Sequence, residues 1–171
     1  GPYEPAKGLL FNEENVLLDP YSRAVTGQRK WGEKPEGGKD FEYRARVVKS
    51  SFDWGNIKQL EQPFEDLVIY EIHVRGYTKD KSSGVSAPGT FAGLKDKIPY
   101  LKDLGINAVE LMPIFEFDEM ESARVVDGVQ LYNYWGYNTV SFFAPNTSYA
   151  FNEEHNHEGD ELKSLIKALK E

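Results

Sequence analysis

Residues 67–114 constrain the fold most. LVIYEIHVR (67–75) is β-branched and aromatic, which predicts a strand. A loop of Lys, Ser, Gly and Pro follows (79–89), and Thr90 then stands where it can cap a helix. Phe91, Leu94, Ile98, Leu101 and Leu104 recur at spacings of three and four, an amphipathic helical face. Pro99 interrupts that face, which predicts a kink or two short helices with Pro99 in the first turn of the second. Gly105 is a helix-ending signal, and INAVELMPI (106–114) predicts a second strand. Strand, helix, strand in this order is a βαβ unit with parallel strands, so the expected fold class is α/β.

The rest of the chain is read around that unit. Residues 1–65 are punctuated by Pro and Gly, including Gly37 and Gly38, with a short apolar piece at 16–18. Phe41, Tyr43, Ala45 and Val47 alternate with charged or polar residues, which suits a half-exposed strand. The Gly-rich residues 33–40 read as a surface loop. Residues 115–130 read as a polar loop carrying five acids, and 146–158 as another. A short strand is expected at 139–143. A final helix carries Leu162, Leu165, Ile166 and Leu169 on one face, with Glu158, Asp160 and Glu161 at its start, where the helix dipole favours acids.

Composition narrows the function classes. A net charge of -8 argues against a phosphate-binding nucleic-acid surface and against anionic membranes. The absence of cysteine removes disulfides, thiolate metal sites and cysteine nucleophiles. No apolar run approaches the ~20 residues of a membrane helix. At 13% aromatic, the chain is rich enough in rings to ask what they do.

Many of the rings lie in residues 131–145, LYNYWGYNTVSFFAP. Aromatic faces interleaved with Asn133, Gly136 and Asn138 are what a sugar site uses: a ring to stack on and amides to orient hydroxyls. A core strand preceded by a turn is the competing reading. Position favours the site, because Tyr134, Trp135 and Tyr137 follow the C-terminal end of the second strand, the end that carries active sites in parallel barrels. Other candidates are weaker. His155 and His157 with Glu153, Glu154, Glu158 and Asp160 resemble a metal cluster, but the spacing defines no geometry and a solvated loop explains it. His73 shares one face of the first strand with Glu71 and Arg75, opposite Ile72 and Val74, which suits a cleft or a structural hydrogen-bond network. Glu116, Asp118, Glu119 and Glu121 could pair as acid and base, yet they read as a solvated loop. Asn146-Thr147-Ser148 matches a glycosylation sequon.

The ordered set GPYEPAKGLLFN, LLDPYSRAV, YEIHVRGYT, GINAVELMPIFEFDEM and NYWGYNTVSFFAP resembles the isoamylase and glycogen-debranching branch of the α-amylase superfamily, glycoside hydrolase family 13. The resemblance covers nearly the whole chain. VELMP alone is also similar to branching enzymes, whereas FEFDEM with NYWGYNT points to debranching. The resemblance implies that residues 1–65 are the end of an N-terminal carbohydrate-binding-type β-sandwich and its linker. It implies that residues 66–171 begin a (β/α)8 TIM barrel with its first two β/α units. A complete barrel needs about 250 residues, so the sequence is expected to be an internal piece of a longer enzyme.

The implied activity is retaining hydrolysis of α-1,6 branch linkages in glycogen, starch or limit dextrin. Its catalytic carboxylates are expected on later strands, so no catalytic residue is assigned here and the chain alone is expected to be inactive. By the same resemblance Tyr137 stacks on the sugar at the cleavage subsite and Trp135 is a second glucan contact. Glu116 and Asn146 fall near positions where one branch of the family holds calcium. The other positions of that pattern do not match, so no metal and no cofactor is expected. The implied compartment is the cytoplasm, or the plastid for a plant or alga. A non-catalytic glucan-binding module and a piece of a branching enzyme are the competing readings.

Overall fold

A computed structural model describes residues 1–13, 17–26, 30–33, 43–152, 154 and 156–171. The sequence begins with two short antiparallel strands, β1 (Tyr3–Glu4) and β2 (Leu9–Leu10), joined through Gly8 in the left-handed region. The strand expected around Tyr43 is reduced to one antiparallel bridge, Val25 to Ala45. Its inward and outward sides also differ from the expected alternation. Val47 is 97% exposed, while Arg46 turns inward to pair with Glu158 at 2.7 Å. A buried carboxylate outweighs the hydrophobic pattern there, since an unpaired buried charge costs several kcal/mol. Phe41, the apolar residue Val16 and most of the Gly-rich loop (34–40) lie outside the described residues.

The βαβ unit forms as expected. Strands β3 (Ile69–Ile72) and β4 (Ala108–Leu111) pair in parallel, with Ile69 opposite Ala108 and Ile72 opposite Leu111. The first strand is shorter than its composition suggests. It stops at Ile72, and α1 (Val74–Thr78) starts at once, with the His73 side chain capping it by accepting the Gly76 N–H at 3.0 Å. The face shared by His73, Glu71 and Arg75 therefore does not exist, because a period of two cannot continue into a helix. The connection contains two helices, α2 (Phe91–Lys95) and α3 (Ile98–Asp103), and Pro99 sits in the first turn of the second. Thr90 Oγ1 caps α2 by accepting from Gly93 N. Helix α3 ends in paired closing bonds, Ile106 N–H to Leu101 O and Gly105 N–H to Lys102 O, with Gly105 at φ +85°. That is the Schellman arrangement, which favours glycine because a Cβ is strained at such φ.

Residues 115–131 are not a plain loop. They hold β5 (Phe115–Phe117), β6 (Arg124–Val126) and β7 (Val129–Leu131). The last two form a hairpin around Asp127 and Gly128, both at positive φ, the signature of a type I′ turn. Strand β8 (Thr139–Pro145) runs antiparallel to β5 with an irregular register. Helix α4 (His157–Lys170) buries Leu165 against the core, and Leu162 and Leu169 flank it. That core joins Ile72, Val74, Phe91, Leu94, Leu101, Phe117, Tyr149 and Leu165. Among the described residues no helix is long and apolar enough to cross a membrane.

The early segment is clasped to the later one. Tyr21 stacks on Phe143 with ring centroids 5.6 Å apart, and Ser141 Oγ donates to Ser22 O at 3.3 Å. Lys163 Nζ donates to Ser50 Oγ and Lys167 Nζ to Asp53 O. Tight packing elsewhere is tested at Gly93, where a Cβ would stand 2.1 Å from the Ala87 carbonyl oxygen. Backbone cannot yield as a side-chain tip does, so Gly93→Ala is expected to destabilise the fold by about 2 kcal/mol or more, read as a lower urea midpoint.

Candidate functional site

The site is built outward from His73. Burial pushes its pKa down, so the ring is neutral and one nitrogen accepts while the other donates. Nδ1 is taken by the Gly76 N–H, which leaves the proton on Nε2. Nε2 lies 2.9 Å from the Tyr134 carbonyl oxygen and donates to it. The imidazole also stacks on the Tyr134 ring, 4.1 Å between centroids and 7° between planes. One residue at the C-terminal end of β3 thus grips both the backbone and the side chain of Tyr134.

A buried aromatic frame supports that grip. Trp31 lies parallel to Tyr149 at 6.2 Å and meets Phe117 and Tyr134 edge-on. The Arg75 guanidinium sits 4.5 Å from the Trp31 ring centroid, a cation–π contact. Trp135 meets Tyr134 and His73 edge-on at 5.3 and 6.1 Å. Next comes Gly136 at φ +76°, where a Cβ would stand 2.5 Å from the Phe117 ring. The backbone bends here against the Phe117 ring, and Trp135 is 54% and Tyr137 71% exposed. Stretch 131–138 is therefore neither a core strand nor a free loop. It is an anchored ledge with two open rings. Beside Trp135 the ledge borders a cleft of ≈ 620 Å³.

Relatives with this architecture are known. The chain is 39% identical to isoamylase 1, chloroplastic, of Arabidopsis thaliana, over 98% of its own length and 22% of that protein. It is 44% identical to isoamylase 3, chloroplastic, of rice over 88% of its length and 20% of that protein. It is 36% identical to the glycogen debranching enzyme of Yersinia enterocolitica over 99% and 27%. Among solved structures it is similar to the pullulanase SAP of Group B Streptococcus, with a TM-score of 0.69 and 26% identity over 90% of the chain and 21% of that protein. A pullulanase from Anoxybacillus, solved with maltotetraose, gives a TM-score of 0.60 at 27% identity, over 89% of the chain and 22% of that protein. No protein-family model matches. The chain belongs to the isoamylase and glycogen-debranching branch of the α-amylase superfamily. It spans about a fifth to a quarter of these curated relatives' lengths.

In this isoamylase-type chain Glu116 and Glu119 depart from the solvated loop expected of the acids, whereas Asp118 is half-buried and Glu121 is exposed. Glu116 and Glu119 are each 0% exposed. Register shifts between β5 and β8 at Phe115/Glu116 and Glu116/Phe117 break the strand alternation, so Glu116 and Phe117 are both buried while Phe115 is exposed, and Glu116 meets Thr147. Glu116 Oε2 accepts the Thr147 N–H at 2.8 Å. Burial raises its pKa well above the usual carboxylate value. Ser148 Oγ lies 2.6 Å from both Glu119 Oε1 and Asn146 Oδ1. One hydroxyl proton cannot serve two acceptors fully, and a proton on Glu119 relieves that competition. That agrees with burial raising the Glu119 pKa from 4.5 to about 7. Neither acid reaches the exposed ledge, so neither can act on a ligand there.

The remaining candidates resolve in the same way. Asn146 is 0% exposed and caps a short 3-10 turn through the Ser148 N–H, so the sequon offers no accessible amide. Its NTS sequence is an Asx-turn signal as much as a sequon. His157 pairs with Glu154 at 3.2 Å on the surface, whereas His155 and Glu153 lie outside the described residues. Among the described residues no group of three or more His, Asp and Glu side chains is placed to hold a metal. Sequence reasoning missed Trp31 and Tyr149 as supports of the ledge, since each is one aromatic in a stretch without helical or strand periodicity.

Two outcomes test this geometry. Gly136→Ala is expected to destabilise the fold by about 2 kcal/mol, through positive φ and the Phe117 clash together, and to shift the Trp fluorescence as Trp135 moves. Glu119 has its folded pKa above its unfolded one, so the folded state binds the extra proton and stability falls as pH rises from 4.5 to about 7. The urea midpoint should drop across that window, and Glu119→Gln should flatten the slope.

Proposed function

We propose that the chain is part of a debranching enzyme that hydrolyses α-1,6 linkages of glycogen, starch or limit dextrin, and that Tyr137 and Trp135 hold the glucan. The observation that carries this reading is the ledge itself. Two open aromatic rings are anchored by buried contacts at the C-terminal end of a parallel strand pair, where parallel α/β folds bind their ligands. An exposed ring with Asn138 beside it suits a neutral sugar, whose C–H face stacks while its hydroxyls bond to amides. The names of the relatives, isoamylase and glycogen debranching enzyme, support debranching over branching.

The same reading divides the chain. Residues 1–65 are the end of a β-sandwich domain with its linker, and residues 66–171 are the first two β/α units of a (β/α)8 barrel. The parallel β3–β4 pair and α4 following β4 support the second assignment. The acid and nucleophile of a retaining glycosidase both have to reach the scissile bond. Glu116 and Glu119 are sealed from the ledge, so the reading puts the catalytic carboxylates elsewhere in the full-length protein. For a plant or algal source the compartment would be the plastid, in line with the chloroplastic relatives.

The full-length protein is expected to release linear maltooligosaccharides from glycogen, and residues 1–171 alone to release none. Product profiling by anion-exchange chromatography decides both, and release by the chain alone would sink the assignment. In the full-length protein Tyr137→Ala removes a stacking face of about 2 kcal/mol, so kcat/KM should fall roughly thirtyfold.

A further inference from the structure

The ledge is held by a side chain whose charge can change near neutral pH. In the neutral form both nitrogens of His73 are committed. Nδ1 accepts the Gly76 N–H at 3.0 Å and Nε2 donates to the Tyr134 carbonyl at 2.9 Å, with Tyr149 Oη 3.4 Å from the same Nε2. The nitrogen left to take a second proton is Nδ1. A proton there points at the Gly76 N–H and sets two donors against each other.

Gly76 is also the surface on which Tyr134 rests. A Cβ added at Gly76 would clash with the Tyr134 hydroxyl, and it would stand 3.5 Å from His73 Nδ1. The first turn of α1, the imidazole and the Tyr134 ring therefore meet at one point. Moving Gly76 withdraws the support beneath the Tyr134 hydroxyl, and Trp135 packs edge-on against both Tyr134 and His73.

The surroundings oppose an added positive charge. Burial lowers the His73 pKa, the bond to the Tyr134 carbonyl works against that, and the like charge of Arg75 on the same helix adds to it. Arg75 is itself faced by Glu119, Tyr149, Tyr134 and Tyr132. Burial raises the Tyr134 and Tyr149 pKa values, so both phenols stay neutral. The folded pKa of His73 thus lies below the unfolded 6.5, so the unfolded state takes the proton first and the stability tied to the neutral ring is lost as pH falls below 6.5. Glu119 runs the other way, since its folded pKa is raised to about 7 and its proton steadies the fold.

We propose that His73 is a positioning residue that latches the ledge in a pH-dependent way: a proton on Nδ1 breaks the bond to Gly76, frees the first turn of α1 together with Tyr134, and lowers the affinity for glucan at Trp135 and Tyr137. The inference rests on the glucan reading above. By linkage the glucan favours the neutral imidazole, so binding in mildly acid solution expels a proton.

The test is calorimetric titration of the full-length protein with maltohexaose at pH values from about 7.5 down to about 5. It is paired with hydrogen exchange of residues 74–78 and 131–138, read by mass spectrometry and corrected for the intrinsic effect of pH. On acidification the affinity should fall about fivefold, as expected for one lost hydrogen bond, and both segments should exchange faster. His73→Asn keeps an acceptor for the Gly76 N–H, because Asn is a favoured helix cap, but it has no proton to gain. Its affinity should be lower at neutral pH and flat below it, whereas Glu119→Gln should retain the acid fall. A flat affinity in the parent protein, or an equal acid fall in His73→Asn, would overturn the inference. If His73→Asn does not fold, binding heats of the parent protein in buffers of different ionisation enthalpy decide: proton release near pH 6 supports the latch and no release overturns it. Absence of maltohexaose binding at every pH would remove the glucan reading. The latch would then stand on an acid-induced rise in exchange at 131–138 and fall without one.

Discussion

The structure depends on what one neutral imidazole does at the end of β3. His73 accepts with Nδ1 from the Gly76 N–H and donates with Nε2 to the Tyr134 carbonyl. The first bond ends the strand by capping α1, and the second brings in a segment 61 residues away. A charged imidazolium could not do both, because both nitrogens would then be donors. Burial lowers the His73 pKa, so the same aromatic packing that hides the ring also maintains the tautomer that the two bonds need. Local folding and the placement of the 131–138 ledge are therefore coupled through one side chain.

Below the ledge, the polar interior follows a second logic. Glu116 and Glu119 are buried beside Thr147 and Ser148, and Arg46 meets Glu158 nearby. Buried carboxylates are tolerated when they are protonated, paired or bonded to backbone N–H groups. All three solutions occur within one layer between β5, the short turn at 147–149 and the start of α4. The layer joins residue 46 to the later α/β unit through the Arg46–Glu158 pair.

The buried acids and the open rings also divide the chemistry. Perturbed carboxylates often mark catalytic centres, but Glu116 and Glu119, whose pKa values burial raises, have no exposed surface and are sealed from the open rings. That separation suits the proposal that these residues hold a glucan and that cleavage is carried out elsewhere in the full-length protein. It accords with membership of a debranching family of whose curated relatives the chain spans about a fifth to a quarter.

Periodicity and punctuation in the sequence by themselves determined the βαβ unit, the two helices divided at Pro99, the stop at Gly105 and the last amphipathic helix, because those signals act through neighbours a few residues apart. The motif order determined the family. Only the tertiary structure decided that β3 stops at Ile72, that Arg46 turns inward, that Glu116 and Glu119 are buried, and that β5 forms a strand at 115–117. Each depends on a partner far along the chain: Tyr134 for His73, Glu158 for Arg46, Ser148 for Glu119, and β8 for β5. The open rings of Trp135 and Tyr137 belong to the same class. Their aromatic character is written in the sequence, but their exposure is read only from the fold, in which Gly136 bends against the Phe117 ring and His73 holds Tyr134.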